Sequence, residues 1–92
     1  MLKYVVEFLG TFLFLSVVVA TTNAFLIALA LLTAIVLVAG VSGAHLNPAI
    51  STMFWAKGSL SNVDLIGYVL AQVAGGLSAF MAYKSFGGKA PI

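Results

Sequence analysis

Two apolar runs, Tyr4 to about Thr21 and Ala24 to about Val41, are separated by nothing more than Thr21-Thr22-Asn23. As helices of about eighteen residues, each reaches about 27 Å, close to the ~30 Å hydrocarbon thickness of a bilayer. The chain has 92 residues, 63% hydrophobic and only 7% charged. A soluble fold of this size has too little interior to hide that surface, so lipid is the solvent that fits. The break is short enough to make the runs an antiparallel helical hairpin. Lys3, the first run and the small residues near Ala20 to Ala24 superficially imitate a signal peptide. Glu7 interrupts its apolar part and a second apolar run follows at once, so cleavage is not expected.

Beyond Val41 the pattern changes. Ser42-Gly43-Ala44-His45-Leu46-Asn47-Pro48 is irregular backbone by composition. Asn47 suits a helix N-cap and Pro48 the first helical position, where its missing N–H costs nothing. The helix that follows, to about Lys57, spans roughly 15 Å, half a bilayer. It is too short to cross and, with Ile50, Met53, Phe54 and Trp55, too apolar for a wet loop. A third spanning helix is expected from Asn62 to about Phe86. Its Gly67, Ala71, Gly75 and Ala79 form a stripe of small residues that allows close helix approach in lipid. Tyr4, Trp55, Tyr68 and Tyr83 are expected near helix ends, at the membrane interface. The tail from Gly87 to Ile92 is expected to fray. The reading is an all-α membrane protein of one unit, residues 1–92. Its spans are about 4–21, 24–41 and 62–86, and a re-entrant loop and half-helix occupies 42–57.

Composition removes whole classes of function. There is no Cys, and one His with two acids leaves no metal cluster or acid–base pair. The four basic residues are all Lys and are scattered, so the stripe of a nucleic-acid binder is missing. No catalytic residue, metal or cofactor is expected.

The segment SGAHLNPAI, Ser42 to Ile50, resembles the first Asn-Pro-Ala loop of the aquaporin and glycerol-channel family, the major intrinsic proteins. EFLGTFLF, from Glu7, resembles that family's first helix, and IGYVLAQVAGGL, from Ile66, its third. Members of the family resemble two such three-helix halves fused as an inverted repeat, and these 92 residues hold one Asn-Pro-Ala. The resemblance therefore implies half of an aquaporin-like fold and a passive channel for water or small neutral solutes such as glycerol. Three crossings put Lys3 and Lys57 on one side and Lys84 and Lys89 on the other, two against two. Lysine asymmetry is what orients membrane proteins, so this balance predicts insertion both ways up. Pairing as an antiparallel homodimer would then rebuild the inverted repeat. Four such dimers, eight chains, are expected by analogy with the family's tetramers of pores.

Roles follow residue by residue. In the pore reading Asn47 offers its side-chain amide to solute while Pro48 and Ala49 hold the turn; the alternative is an Asn that only caps its helix, and both can hold. The half-helix aims its positive N-terminal end at the bilayer centre, which repels cations. Gly43, Ala44, His45 and Leu46 offer backbone carbonyls, and the His45 ring is expected to pack. Glu7, at the family's buried acid position, either braces the loop by accepting backbone N–H bonds or serves proton-coupled transport. Gln72 is a polar partner for the loop or a plain helix–helix hydrogen bond. The family's filter positions fall on Ile27, Ile35 of the partner copy, Ala44 and Ile50, where relatives carry an Arg. Such a ring of isoleucines relaxes discrimination toward glycerol-sized solutes, or narrows the pore until it dewets. The competing functions are a non-conducting membrane protein (a degenerate half-channel, an accessory or a holin-like subunit) and a Glu7-centred exporter.

Overall fold

The computed structural model describes residues 1–88; Lys89 and the rest of the expected frayed tail lie outside the described residues. Four helices follow one another: α1 Leu2–Ala20, α2 Ala24–Ser42, α3 Pro48–Ala56 and α4 Asn62–Ser85. α1, α2 and α4 are long and apolar enough to cross a membrane. α3 has nine residues, about 14 Å of helix, and is not.

Local chemistry sets the boundaries. α1 runs until Thr21 turns extended, and Asn23 then caps α2 by accepting from the Leu26 amide at 3.0 Å. Gly43, in the left-handed region at φ 86°, ends α2. Ser61 caps α4 by accepting from the Asp64 amide at 3.0 Å. At the other end of α4 the Gly88 amide returns to the Tyr83 carbonyl at 3.0 Å, with Gly87 at φ 69°. Gly87 and Gly88 form a helix-ending turn.

α1 is the central element, packed against α2 on one side and α4 on the other, with α3 resting on α4. The small-residue stripe of α4 makes the α1 contact. A Cβ on Gly75 would sit 2.7 Å from the Phe8 carbonyl oxygen, and one on Gly67 would enter the Tyr4 ring. Ala34, Val38 and Leu46 form the buried apolar cluster, flanked by Val6, Leu13, Phe14, Leu31 and Ala44. Most other large apolar side chains, among them Leu32, Val36, Leu70 and Phe80, face outward. In water that surface would be a defect; against lipid it is what a spanning helix needs.

At one end of the bundle Lys3 and the Tyr4 hydroxyl both bond the Asp64 carboxylate, at 2.7 and 2.5 Å. There too, Trp55 Nε1 donates to Asn62 Oδ1 at 2.6 Å. The C-terminal end of α3 and the N-terminal ends of α1 and α4 therefore share one face. Tyr68 differs from its expected interfacial place. It is buried, and its hydroxyl donates to the Ser42 carbonyl at 2.7 Å.

Candidate pore-lining loop and half-helix

The loop between α2 and α3 hangs on one carboxylate. Glu7, fully buried on α1, accepts four hydrogen bonds. They come from the Ser42 hydroxyl at 2.6 Å, the His45 amide at 2.9 Å, the Leu46 amide at 2.8 Å and the Gln72 side-chain amide at 2.9 Å. All four partners are N–H or O–H donors, shared two to each carboxylate oxygen. Gln72 Nε2 also donates to Ser51 Oγ at 2.9 Å, and that hydroxyl pairs with His45 Nδ1 at 2.8 Å. One network thus joins α1, α2, the loop, α3 and α4.

The loop bends sharply to reach it. Ala44 at φ 53° and Leu46 at φ 58° occupy the left-handed region that side chains other than glycine avoid. Each costs about 1–3 kcal/mol, a strain that persists only where surroundings over-determine it. Here the amides held by Glu7 do so. The bend carries the backbone oxygens of Gly43, Ala44, His45 and Leu46. Among the described residues no hydrogen bond reaches them. The His45 ring lies between Phe54, stacked at 4.9 Å, and Tyr68 at 4.8 Å.

Asn47 Oδ1 caps α3 by accepting from the Ala49 amide at 2.7 Å, with Pro48 in the first turn. Asn47, Pro48, Ala49 and Ile50 are all exposed. Beside them opens a cleft of about 400 Å³, lined by Thr11, Phe14 and Leu15 of α1, by Gln72, Val73, Gly76 and Leu77 of α4, and by Leu46, Asn47 and Pro48. Those positions lie midway along α1 and α4, so the N-terminal end of α3 sits at half the height of the bundle.

The expected residues do not all converge. Glu7, Gln72, His45 and Leu46 form the network, and Leu46, Asn47 and Pro48 line the cleft. Ile27, Ile35, Ala44 and Ile50 are not among the cleft residues. The Ala44 side chain packs toward the apolar cluster instead. Ser51 and Thr11 are buried participants that sequence reasoning passed over. Spacing was the available signal: Glu7 and Thr11, like Tyr68 and Gln72, stand four apart on otherwise apolar helices, which places each pair on one inward face.

Residues 22–89 match the family model described as Major intrinsic protein. The chain belongs to this family. It is an integral, multi-pass membrane protein with half of the family's fold: three membrane-length helices and one short one. It is similar to glycerol uptake facilitator protein-like 6 of Lactiplantibacillus plantarum, with 40% identity over 94% of this chain and 44% of the relative. It is also similar to propanediol uptake facilitator PduF of Citrobacter freundii, with 36% identity over 90% of this chain and 36% of the relative. Aquaporin Z of Photorhabdus laumondii matches 55% of this chain and 22% of its own length, at 43% identity. This major intrinsic protein chain thus spans less than half the length of each of these relatives. No solved structure gives a significant match.

Proposed function

We propose that the chain forms half of a passive channel for water and small neutral solutes of glycerol size, completed by a second, inverted copy of itself. The observation that carries this is the Asn47–Ile50 tip, exposed at half height beside an open cleft and preceded by four carbonyls without a protein donor. At membrane depth, free carbonyls are tolerable only where they line a wet cavity. Asn47 spends its oxygen on the cap, which leaves its amide hydrogens for solute. The N-terminal end of α3 adds a positive potential that disfavours cations, and an inverted copy doubles it. The relatives named as glycerol and propanediol uptake facilitators and as an aquaporin support this substrate class.

The second copy is supported by charge. Lys3 and Lys57 lie at the end of the bundle that α1 and α4 share, and Lys84 lies at the other with Lys89 next in sequence. A balanced count leaves both orientations available. In this assembly Ile50, Ile27 and the partner's Ile35 ring each mouth together with the backbone of Ala44, and four antiparallel pairs make the eight-chain cluster. Glu7 braces the loop. Four donors already occupy both its oxygens, which disfavours a proton-coupled role. Members of the family are channels rather than enzymes, and no catalytic residue is assigned.

Stopped-flow osmotic measurements on liposomes containing this chain alone test the channel, with glycerol and urea as osmolytes. Accelerated shrinkage and solute entry are expected, and permeability equal to empty lipid would defeat the reading. Accessibility tags at each terminus test the pairing, which requires both termini on both faces. A single orientation would instead assign the inverted half to a different polypeptide segment.

A further inference from the structure

Among the described residues two buried side-chain oxygens have no hydrogen-bond partner, Thr11 Oγ1 and Gln72 Oε1. Their residues are only 1% and 2% exposed, and both line the cleft beside Asn47. They are also neighbours. Glu7 bonds Gln72, Thr11 is one turn beyond Glu7, and Thr11 lies against Gly75, nearly one turn beyond Gln72. Both side chains therefore sit at the α1–α4 contact, on the wall of the same cleft. The orientation of the Gln72 amide is fixed from outside, because its nitrogen must serve Glu7 and the Ser51 hydroxyl. Its oxygen is left pointing away from both.

Thr11 behaves unlike several other hydroxyls in these helices. Ser16, Thr33, Thr52 and Ser85 each return their proton to the carbonyl four residues back, at 2.6 to 2.9 Å. Thr11 makes no such bond. A buried hydroxyl and a buried amide oxygen without partners are each costly, and polar cavities commonly meet that cost with an ordered water.

We infer that Thr11 and Gln72 bind one water molecule in the wall of the cleft. The water donates one hydrogen to Gln72 Oε1 and exchanges a second bond with the Thr11 hydroxyl, which can donate or accept. Both oxygens are sealed as the side chains stand, so Leu15, Leu46 or Leu77 in the cleft wall must shift to admit the water. The site extends the polar track of the cleft from the Asn47 amide to the middle of α1. It does not depend on whether a second copy completes a pore.

The chain in lipid nanodiscs, methyl-labelled at threonine, tests this by magnetisation transfer from water. A cross-peak of long-lived water on the Thr11 methyl group is expected; its absence would overturn the site, including the case of a direct Thr11–Gln72 bond. Thermal unfolding gives the second readout. Thr11→Val keeps the shape and removes the hydroxyl. If that hydroxyl is merely orphaned, its removal leaves the midpoint unchanged or raises it. If it holds a water for Gln72, the midpoint falls by roughly 4–8 °C, and Thr11→Ser stays nearer the parent. A Thr11→Val midpoint at or above the parent's overturns the proposal. Should Thr11→Val fail to fold, the cross-peak on the unmodified chain still decides.

Discussion

His45 and Leu46 hang their amides on a fully buried carboxylate, while Asn47 to Ile50, the very next residues, face outward. The first group finds the acceptor for its amides within one chain. Every hydrogen-bonding atom of Glu7, Ser42 and Ser51 has found a partner, and the strain at Ala44 and Leu46 is held by it. The second group has spent one side-chain oxygen on its own helix and little else. The difference separates what holds the half-structure together from what it presents outward. Substitutions in the two groups should therefore differ in kind as well as in size.

Glu7→Ala is the largest test. It removes the acceptor for two backbone amides, one hydroxyl and the Gln72 amide, all in a buried network. At about 1–3 kcal/mol for each stranded donor, partial relaxation still leaves a loss of about 4 kcal/mol or more. Denaturant or thermal unfolding in detergent measures it. A variant as stable as the parent would mean that the loop is held by something other than Glu7.

Gly75→Ala comes next. The new methyl meets the Phe8 carbonyl oxygen at 2.7 Å and the Phe12 amide nitrogen at 3.2 Å. Both are backbone, so α1 and α4 must separate, which costs about 1–3 kcal/mol by overpacking. Gly40→Ala is the matched control, because nothing lies within 4 Å of its added Cβ. It should be neutral or slightly stabilising through helix propensity. Equal effects at the two glycines would refute the close crossing. A smaller loss, about 1 kcal/mol, is expected for Tyr68→Phe, which leaves the Ser42 carbonyl without its donor.

The three long helices and the short one were legible because hydrophobic length is a property of contiguous sequence. The Asn47 cap and Pro48 were legible because capping is local chemistry. Tyr68 was misplaced for the converse reason. A tyrosine six residues into α4 has the spacing of an interface residue, and only the position of the Ser42 carbonyl, 26 residues away in sequence, explains why it is inside. Ser51 was hidden for a related reason. A single hydroxyl in an apolar helix more often returns to its own backbone, as Ser16 and Thr33 do. Whether it joins a network depends on what the facing helix brings. The positive φ of Ala44 and Leu46 carries no sequence signal at all, since neither residue favours that region.

Asn47→Asp should have the smallest effect on stability and separates the two groups most sharply. Asp caps a helix N-terminus about as well as Asn, and a negative charge there suits the helix dipole. The bond to the Ala49 amide survives, so the unfolding free energy should stay within about 0.5 kcal/mol of the parent, the usual range for an exposed site. The substitution nevertheless replaces two amide donors with an acceptor-only group at half height in the cleft. Neutral-solute permeability in liposomes should fall to the level of empty lipid, or be exchanged for cation leakage. A variant that keeps both its stability and its solute flux would show that Asn47 serves α3 alone, and the outward-facing residues would lose their claim to contact solute.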